Sequence, residues 1–237
     1  IGIGKVSTFK GFCNTHDKSL FHIIEDYDFA GTDEQCFKFF YRNMSYEYYK
    51  KLLNSQVFSK INNLYVKDYP TLLGLKNIVD IETNLLSIEN DHKPLKTLYD
   101  DILLNGDYTR LYNKIYTFNK KYDIASANVI NLHKNFQDED IFDLSSNSIF
   151  PPLSFTILPQ KNKTFVVFST LKIYKEYYQF FFDKINDMEE NELKLFFSAL
   201  LIMECENIVL SETLVGKLLG MEKEIINLHR HTIPTIR

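Results

Sequence analysis

The sequence predicts an α+β protein that is predominantly helical, a helical bundle that carries a small antiparallel β-hairpin. Stretches such as CFKFFYRNMSYEYYKKLL in the first half and EENELKLFFSALLIMECEN in the second repeat apolar residues every three to four positions. That spacing places them on one face of a helix. In contrast, LSFTILPQ and TFVVFST are short, largely apolar runs on either side of a Lys-Asn-Lys turn. They predict a hairpin over about residues 153–169.

The helices of the first half can be placed from their end signals. From Asp17 the segment LFHII has helical spacing, which predicts a first helix that ends near Tyr27. Thr32 or Asp33 is a suitable N-cap for a second helix, which we expect to reach about Asn54.

The remainder of the chain mixes helices with short strands. A long helical stretch follows Pro70, and Pro94 marks a kink or a first-turn restart within it. Mixed alternation over residues 124–130 is compatible with a strand, and residues 206–210 suggest another short one. Ser211 is placed as the N-cap of a final helix.

Composition narrows the class of protein. With 237 residues, 45% of them hydrophobic, the chain can bury a sizeable core. A net charge of -4 excludes a chain-wide basic footprint for nucleic acid. Three widely spaced cysteines do not form a disulfide framework, and no apolar run is long enough to span a membrane. We therefore expect a soluble, cytoplasmic protein with no membrane partner.

Aromatic residues are abundant, with 20 Phe, 15 Tyr and no Trp. Runs of them near Lys and Arg resemble the stacking platforms that bind single-stranded nucleic acid. The same runs have helical spacing, which favours a role in the core.

The most informative motif is GFCNTHD at residues 11–17, which places Cys13 and His16 in a C-x-x-H arrangement. This spacing matches one knuckle of a zinc site and brings both ligand atoms within reach of one ion. A structural zinc needs four ligands, however, and one knuckle supplies two. The alternative interpretation is a buried cysteine beside a helix-capping Asp17.

The stretch GFCNTHDKSLFHIIED resembles an element, Gly-Phe-Cys-x-x-His-Asp-x-x-Leu-Phe, of a family of uncharacterised bacterial proteins. The segments FYRNMSYEYYKK and ILPQKNKTFVVFSTLK are also similar to segments of that family, so the resemblance covers most of the chain. The element is similar to the second half of a degenerate HNH or treble-clef zinc fold. The C-x-x-C-Asn pattern of that fold is written here as Cys13, His16 and Asp17.

The resemblance implies a role for each of these residues. Cys13 and His16 would be structural zinc ligands, and Asp17 would stand where an Asn supports the HNH metal core. The other ligands and the general-base histidine of an HNH nuclease would lie upstream of Ile1. We therefore expect a zinc-knuckle-like element at residues 1–30, whose upstream half is missing, and a helical domain at residues 31–237.

Two functions follow as hypotheses. The first is a bacterial protein with an HNH-like zinc element that acts on or senses nucleic acid in anti-phage defence. If it is an enzyme, it would be a metal-dependent nuclease whose catalytic histidine lies outside this chain. The alternative is a non-catalytic helical module that binds a protein partner, with structural zinc or none. An enzyme acting on a small substrate ranks last, because no convergent catalytic set is visible.

Several other titratable residues could serve as metal or acid–base sites, and a solvated surface is the favoured interpretation of the helical group. They are Glu82, Glu89, Asp91 and His92 in one helical region, Asp100, Asp101 and Asp107 around a turn, Glu204 and Glu206 beside Cys205, and His229 and His231 near the end.

Overall fold

A five-stranded antiparallel sheet forms the centre of the protein, in the order β1-β4-β3-β2-β5. The computed structural model describes residues 11–65, 85–137, 139–141 and 149–220. The strands are β1 Leu111–Phe118, β2 Ile124–Ile130, β3 Leu153–Gln160, β4 Lys163–Leu171 and β5 Ile208–Leu210.

Helices precede, separate and follow the strands. α2 is the longest described helix, and a π-helical turn at Ile88–His92 leads directly into α3. The α-helices are α1 Asn14–Glu25, α2 Asp33–Tyr65, α3 Lys93–Asn105, α4 Gln179–Asn186, α5 Glu190–Glu204 and α6 Glu212–Gly220.

The predicted fold class, a helical bundle with a small hairpin, is wrong, because the protein is an α+β fold built on a substantial sheet. The hairpin itself is confirmed as β3 and β4, and the strands suspected near residues 124–130 and 206–210 are β2 and β5. β1 was missed. It is an edge strand whose residues are mostly half-exposed, so it lacks the apolar run that reveals a buried strand.

Several predicted helix ends agree with the structure. The Thr32 hydroxyl accepts a hydrogen bond from the Gln35 N–H at 3.2 Å, and the Ser211 hydroxyl accepts one from the Leu214 N–H at 3.1 Å. Pro94 is the second residue of α3, directly after the π-helical turn at Ile88–His92. The stretch predicted to be helical after Pro70 lies partly outside the described residues.

Helices cover both faces of the sheet. On one face, α1, α2 and α3 bury a cluster that includes Phe21, Phe37 and Phe40. On the other, α4 and α5 pack against β3 and β4 around Phe168, whose ring lies 4.9 Å from that of Phe155. The prediction that many of the aromatic residues belong to the core is confirmed for these rings.

The connection between β1 and β2 crosses the end of the sheet at the turn between β3 and β4. Thr164, the second residue of β4, ties the crossing down: its hydroxyl donates to the Lys120 carbonyl and accepts from the Tyr122 N–H, both at 2.9 Å. The strands β1 and β2 are therefore close in sequence but separated in the sheet by the whole β3–β4 hairpin, which is a Greek-key arrangement.

A buried amide fixes α2 against the sheet. Asn43 donates to the hydroxyl oxygens of Ser154 and Thr156, at 2.8 and 3.0 Å, and more weakly to the Asn128 carbonyl at 3.3 Å. All three partner residues are strand residues of the adjacent β2 and β3. Because these groups are almost fully buried, their pairing favours one position of α2 along the sheet.

Candidate functional site

The N-terminal edge of the protein carries the predicted zinc pair. Cys13 is the N-cap residue of α1, in extended conformation, and His16 lies in the first turn. Residues three apart lie on the same side of a helix, and the Cys13 Sγ is 3.0 Å from the His16 Nδ1. Both side chains are exposed. The alternative interpretation, a buried cysteine beside a capping aspartate, does not fit, because Cys13 is exposed and Asp17 does not cap α1.

This geometry is close to that of two neighbouring zinc ligands. Zinc–sulfur and zinc–nitrogen bonds of about 2.3 and 2.0 Å at a tetrahedral angle put the two ligand atoms about 3.5 Å apart. A small side-chain rotation would open the observed 3.0 Å to that value. Among the described residues, no group of three or more His, Cys, Asp and Glu side chains could hold a metal ion. Zinc binding therefore stays a prediction that depends on ligands from elsewhere.

Asp17 takes part in an ion pair between two helices, which is not the role that the resemblance implies. Its carboxylate lies 3.8 Å from the Arg42 guanidinium, which also pairs with Glu25. The guanidinium carbon is 4.3 Å from the centre of the Phe21 ring. Arg42 thus joins both ends of α1 to α2 through charge and a cation–π contact. Sequence reasoning missed this role, since only the packing of the two helices reveals it.

Gln35 fixes the segment between α1 and α2. Its side chain is 4% exposed, and its carbonyl oxygen accepts from the Ala30 N–H at 2.7 Å. Its amide donates to the Asp28 carbonyl at 2.8 Å and the Ile23 carbonyl at 3.3 Å. A turn carries backbone groups that no helix satisfies. By pairing with three of them, Gln35 acts together with Arg42 to hold α1, and with it the Cys13–His16 pair, on α2.

The other two cysteines are protected, in contrast to Cys13. Burial, with a smaller contribution from Asp33, raises the pKa of the fully buried Cys36 thiol to about 12. Burial likewise raises the pKa of Cys205 to about 11, opposed by a hydrogen bond with Ser126. Thiolate is the form that binds metal and reacts with electrophiles, so Cys13 is the candidate ligand among the three.

The other titratable residues considered as metal or acid–base sites lie in different surroundings in the structure. Glu89 is exposed and pairs with Lys93 at 2.9 Å, as expected for a solvated face. Its neighbours Asp91 and His92 instead line a cavity between α2 and α3. The acidic residues after them are taken up in local pairs, Asp100 with Lys96, Asp101 with Arg110 and Asp107 with Thr109. Glu82, His229 and His231 lie outside the described residues.

Comparison of the chain with protein-family models, with curated proteins and with solved structures found no match. No helix within the described ranges is both long and apolar enough to cross a bilayer.

Proposed function

We propose that the protein binds a structural zinc ion at its N-terminal edge through Cys13 and His16, and that this zinc-centred unit acts on or senses nucleic acid. The observation that carries the proposal is the 3.0 Å approach of the Cys13 Sγ to the His16 Nδ1 on an exposed helix end. The remaining ligands come from outside the described residues. A bacterial cytoplasmic location and a role in defence against phage belong to the same proposal, as does the resemblance to HNH elements.

The chemistry assigned to this chain is structural rather than catalytic. Zinc held by a thiolate and an imidazole within a closed four-ligand set stabilises a fold and leaves no open position for substrate. A nuclease reaction would need a general-base histidine and a divalent ion elsewhere. The helix that carries the pair also carries Lys18 and His22, both exposed, and exposed basic side chains are suited to phosphate contacts.

Metal content tests the first part. Purified wild-type protein should contain one zinc per chain by inductively coupled plasma mass spectrometry. The variants Cys13→Ala and His16→Ala should each lose most of it, because a two-ligand knuckle fails when either ligand is removed. Cys205→Ala is the matched control, a thiol in the same chain away from the pair, and should keep its zinc. Wild-type protein without zinc would contradict the proposal.

Nucleic-acid assays test the second part. Wild-type protein should bind a DNA or RNA fragment with an affinity that falls as salt rises, and Cys13→Ala should bind it more weakly. Incubation with plasmid DNA and Mg²⁺ shows whether cleavage accompanies binding. Binding or cleavage by Cys13→Ala at the wild-type level would show that the zinc unit takes no part in either activity.

One observation favours the alternative, a non-catalytic interaction module. The side chains of Leu195, Ile202 and Met203 on α5 are 69–74% exposed, and exposed apolar clusters are typical of interaction surfaces. Sedimentation velocity of the wild type against Ile202→Glu tests whether this surface joins two copies. A dimer that Ile202→Glu dissociates, in a protein that binds no nucleic acid, would favour the module.

A further inference from the structure

A cavity of about 260 Å³ lies between α2, the π-helical turn with α3, and the segments that leave β2 and enter β3. It shares none of its lining residues with the Cys13–His16 pair. The π-helical turn contributes two consecutive residues, Asp91 and His92, to the lining. Single π-helical turns occur frequently at functional sites, and this one places polar side chains in the wall of the cavity.

Three polar groups around the cavity have no hydrogen-bond or ion-pair partner among the described residues. The Tyr99 hydroxyl is buried, in a residue that is 2% exposed, and makes no hydrogen bond there. The Lys51 ammonium makes neither an ion pair nor a hydrogen bond within the described ranges, and the same part of the chain offers the His92 ring no hydrogen bond. A buried hydroxyl without a hydrogen bond, such as that of Tyr99, is unfavourable in the folded protein, and a bound ligand would supply its partner.

The charged groups that line the cavity are Glu47, Lys51, Asp91 and Lys96, and among the described residues neither Lys51 nor Asp91 belongs to an ion pair. Glu47 pairs with Lys50 at 3.1 Å, and Lys96 pairs with Asp100. Asp91 accepts a hydrogen bond from the Ser87 hydroxyl at 3.1 Å.

The pKa of His92 is lowered by burial and then by the charge of Lys51, against a smaller opposite effect of Asp91. The lowered pKa favours the neutral form of His92 at pH 7. Lys51 is thus the cation of the lining that belongs to no ion pair within the described residues.

The two ends of the cavity differ, and its walls are aromatic. His92 and Tyr99 are seven residues apart, which separates their Cα atoms by about 10 Å along the helix. On α2, the ring of Tyr48 lies 6.5 Å from that of His92, whereas the ring of Phe40 lies 5.0 Å from that of Tyr99. Lys51 thus belongs to the His92 end, and the Tyr99 hydroxyl belongs to the other.

We propose that this cavity binds a small, flat carboxylic acid that carries a hydroxyl at its far end, as in the hydroxybenzoates. The carboxylate accepts from the Lys51 ammonium at the His92 end. The ligand hydroxyl pairs with the buried Tyr99 hydroxyl, and the ring packs against the aromatic walls, which include Tyr48 and Phe150. A cavity of this size fits a single ring with two short substituents, below the range for drug-sized ligands.

Isothermal titration calorimetry with 4-hydroxybenzoate tests the proposal on the full chain. Lys51→Met should weaken binding at least roughly tenfold, because it removes the charge and keeps the aliphatic stem. Lys60→Met, an exposed lysine on the same helix outside the cavity lining, is the matched control and should bind as the wild type does. Tyr99→Phe should weaken 4-hydroxybenzoate but leave benzoate unchanged, since benzoate has no group to pair with the lost hydroxyl.

Three results would overturn the proposal. They are no binding of 4-hydroxybenzoate to wild-type protein, equal binding of the neutral 4-hydroxybenzamide, and binding of inorganic phosphate in its place. Loss of binding in Lys60→Met as well would show that binding depends on the overall charge of the protein and not on this cavity. Cys13→Ala should bind 4-hydroxybenzoate normally, so the outcome here is independent of the proposed zinc unit.

Discussion

Gln35→Glu is the sharpest test of how α1 is held on α2. The substitution keeps the shape of the side chain and the oxygen that accepts from the Ala30 N–H. It replaces the amide that donates to the Asp28 and Ile23 carbonyls with a carboxyl group. When that carboxyl is ionised, a buried negative charge faces two carbonyl oxygens and donates nothing to either. Its folded-state pKa should therefore be raised well above the ordinary value.

The magnitude follows from the geometry. A protonated carboxyl donates one hydrogen bond where the amide donates two, a loss of about 1 kcal/mol at any pH. The ordinary pKa of a glutamate is about 4.3, so keeping the group protonated at pH 7 costs about 3.7 kcal/mol more. Because the folded pKa is the higher one, stability is retained below about pH 4.3 and lost as pH rises, by up to about 1.4 kcal/mol per pH unit.

Urea denaturation between pH 4.5 and 7.5 measures this difference. The free energy of unfolding of Gln35→Glu should fall away from that of the wild type as pH rises. Gln56→Glu, at an exposed position on the same helix, is the control and should follow the wild type at every pH. A difference between Gln35→Glu and wild type that does not change with pH would show that the side chain is not held between the two carbonyls.

Three further predictions concern the core, the thiols and the cavity. Phe168→Ala should lower the free energy of unfolding by about 3–5 kcal/mol in urea, since the ring is fully buried; a loss below about 1 kcal/mol would contradict the aromatic core. At pH 8 a thiol reagent should modify Cys13 at once and Cys36 only after unfolding, because burial raises the pKa of Cys36 to about 12, and added zinc should protect Cys13. His92 has a folded pKa below its ordinary value, so the unfolded state binds more protons as pH falls below about 6.5. His92→Gln should therefore reduce the stability lost between pH 7 and 5, and an unchanged loss would contradict the burial of this ring.

The sequence was informative where the pattern is local. β3 and β4 are central strands, buried on both faces by helices, so their short apolar runs stand out. Within the part of the chain that the structure describes, β1 pairs with β4 alone, which lies more than forty residues further along the chain, and most residues of β1 are half-buried or exposed. Nothing in LYNKIYTF distinguishes such an edge strand from a polar helix turn. The sequence therefore predicted too few strands, because the edge strand β1 is stabilised by pairing with a strand far along the chain.

The difference between local and distant contacts also explains why the sequence predicted one of the two proposed sites and not the other. The Cys13–His16 pair is a contact between residues three apart, so spacing alone predicted it. The polar groups of the cavity come from α2, α3 and the β2–β3 connection, and they converge only when the layers pack. Lys51 and Tyr99 carry no motif. The π-helical turn beside them was also hidden, because the sequence around His92 reads as ordinary helix.

The path of the chain around Thr164 has a consequence for how the protein folds. Only five residues separate β1 from β2, which is short enough for the two to close on each other as a hairpin within microseconds. In the native sheet that pairing does not exist, because β3 and β4 lie between them. A chain that pairs β1 with β2 early must separate them again before the later hairpin can insert. We expect stopped-flow refolding to show a slow phase for this rearrangement, and a single fast phase would contradict it.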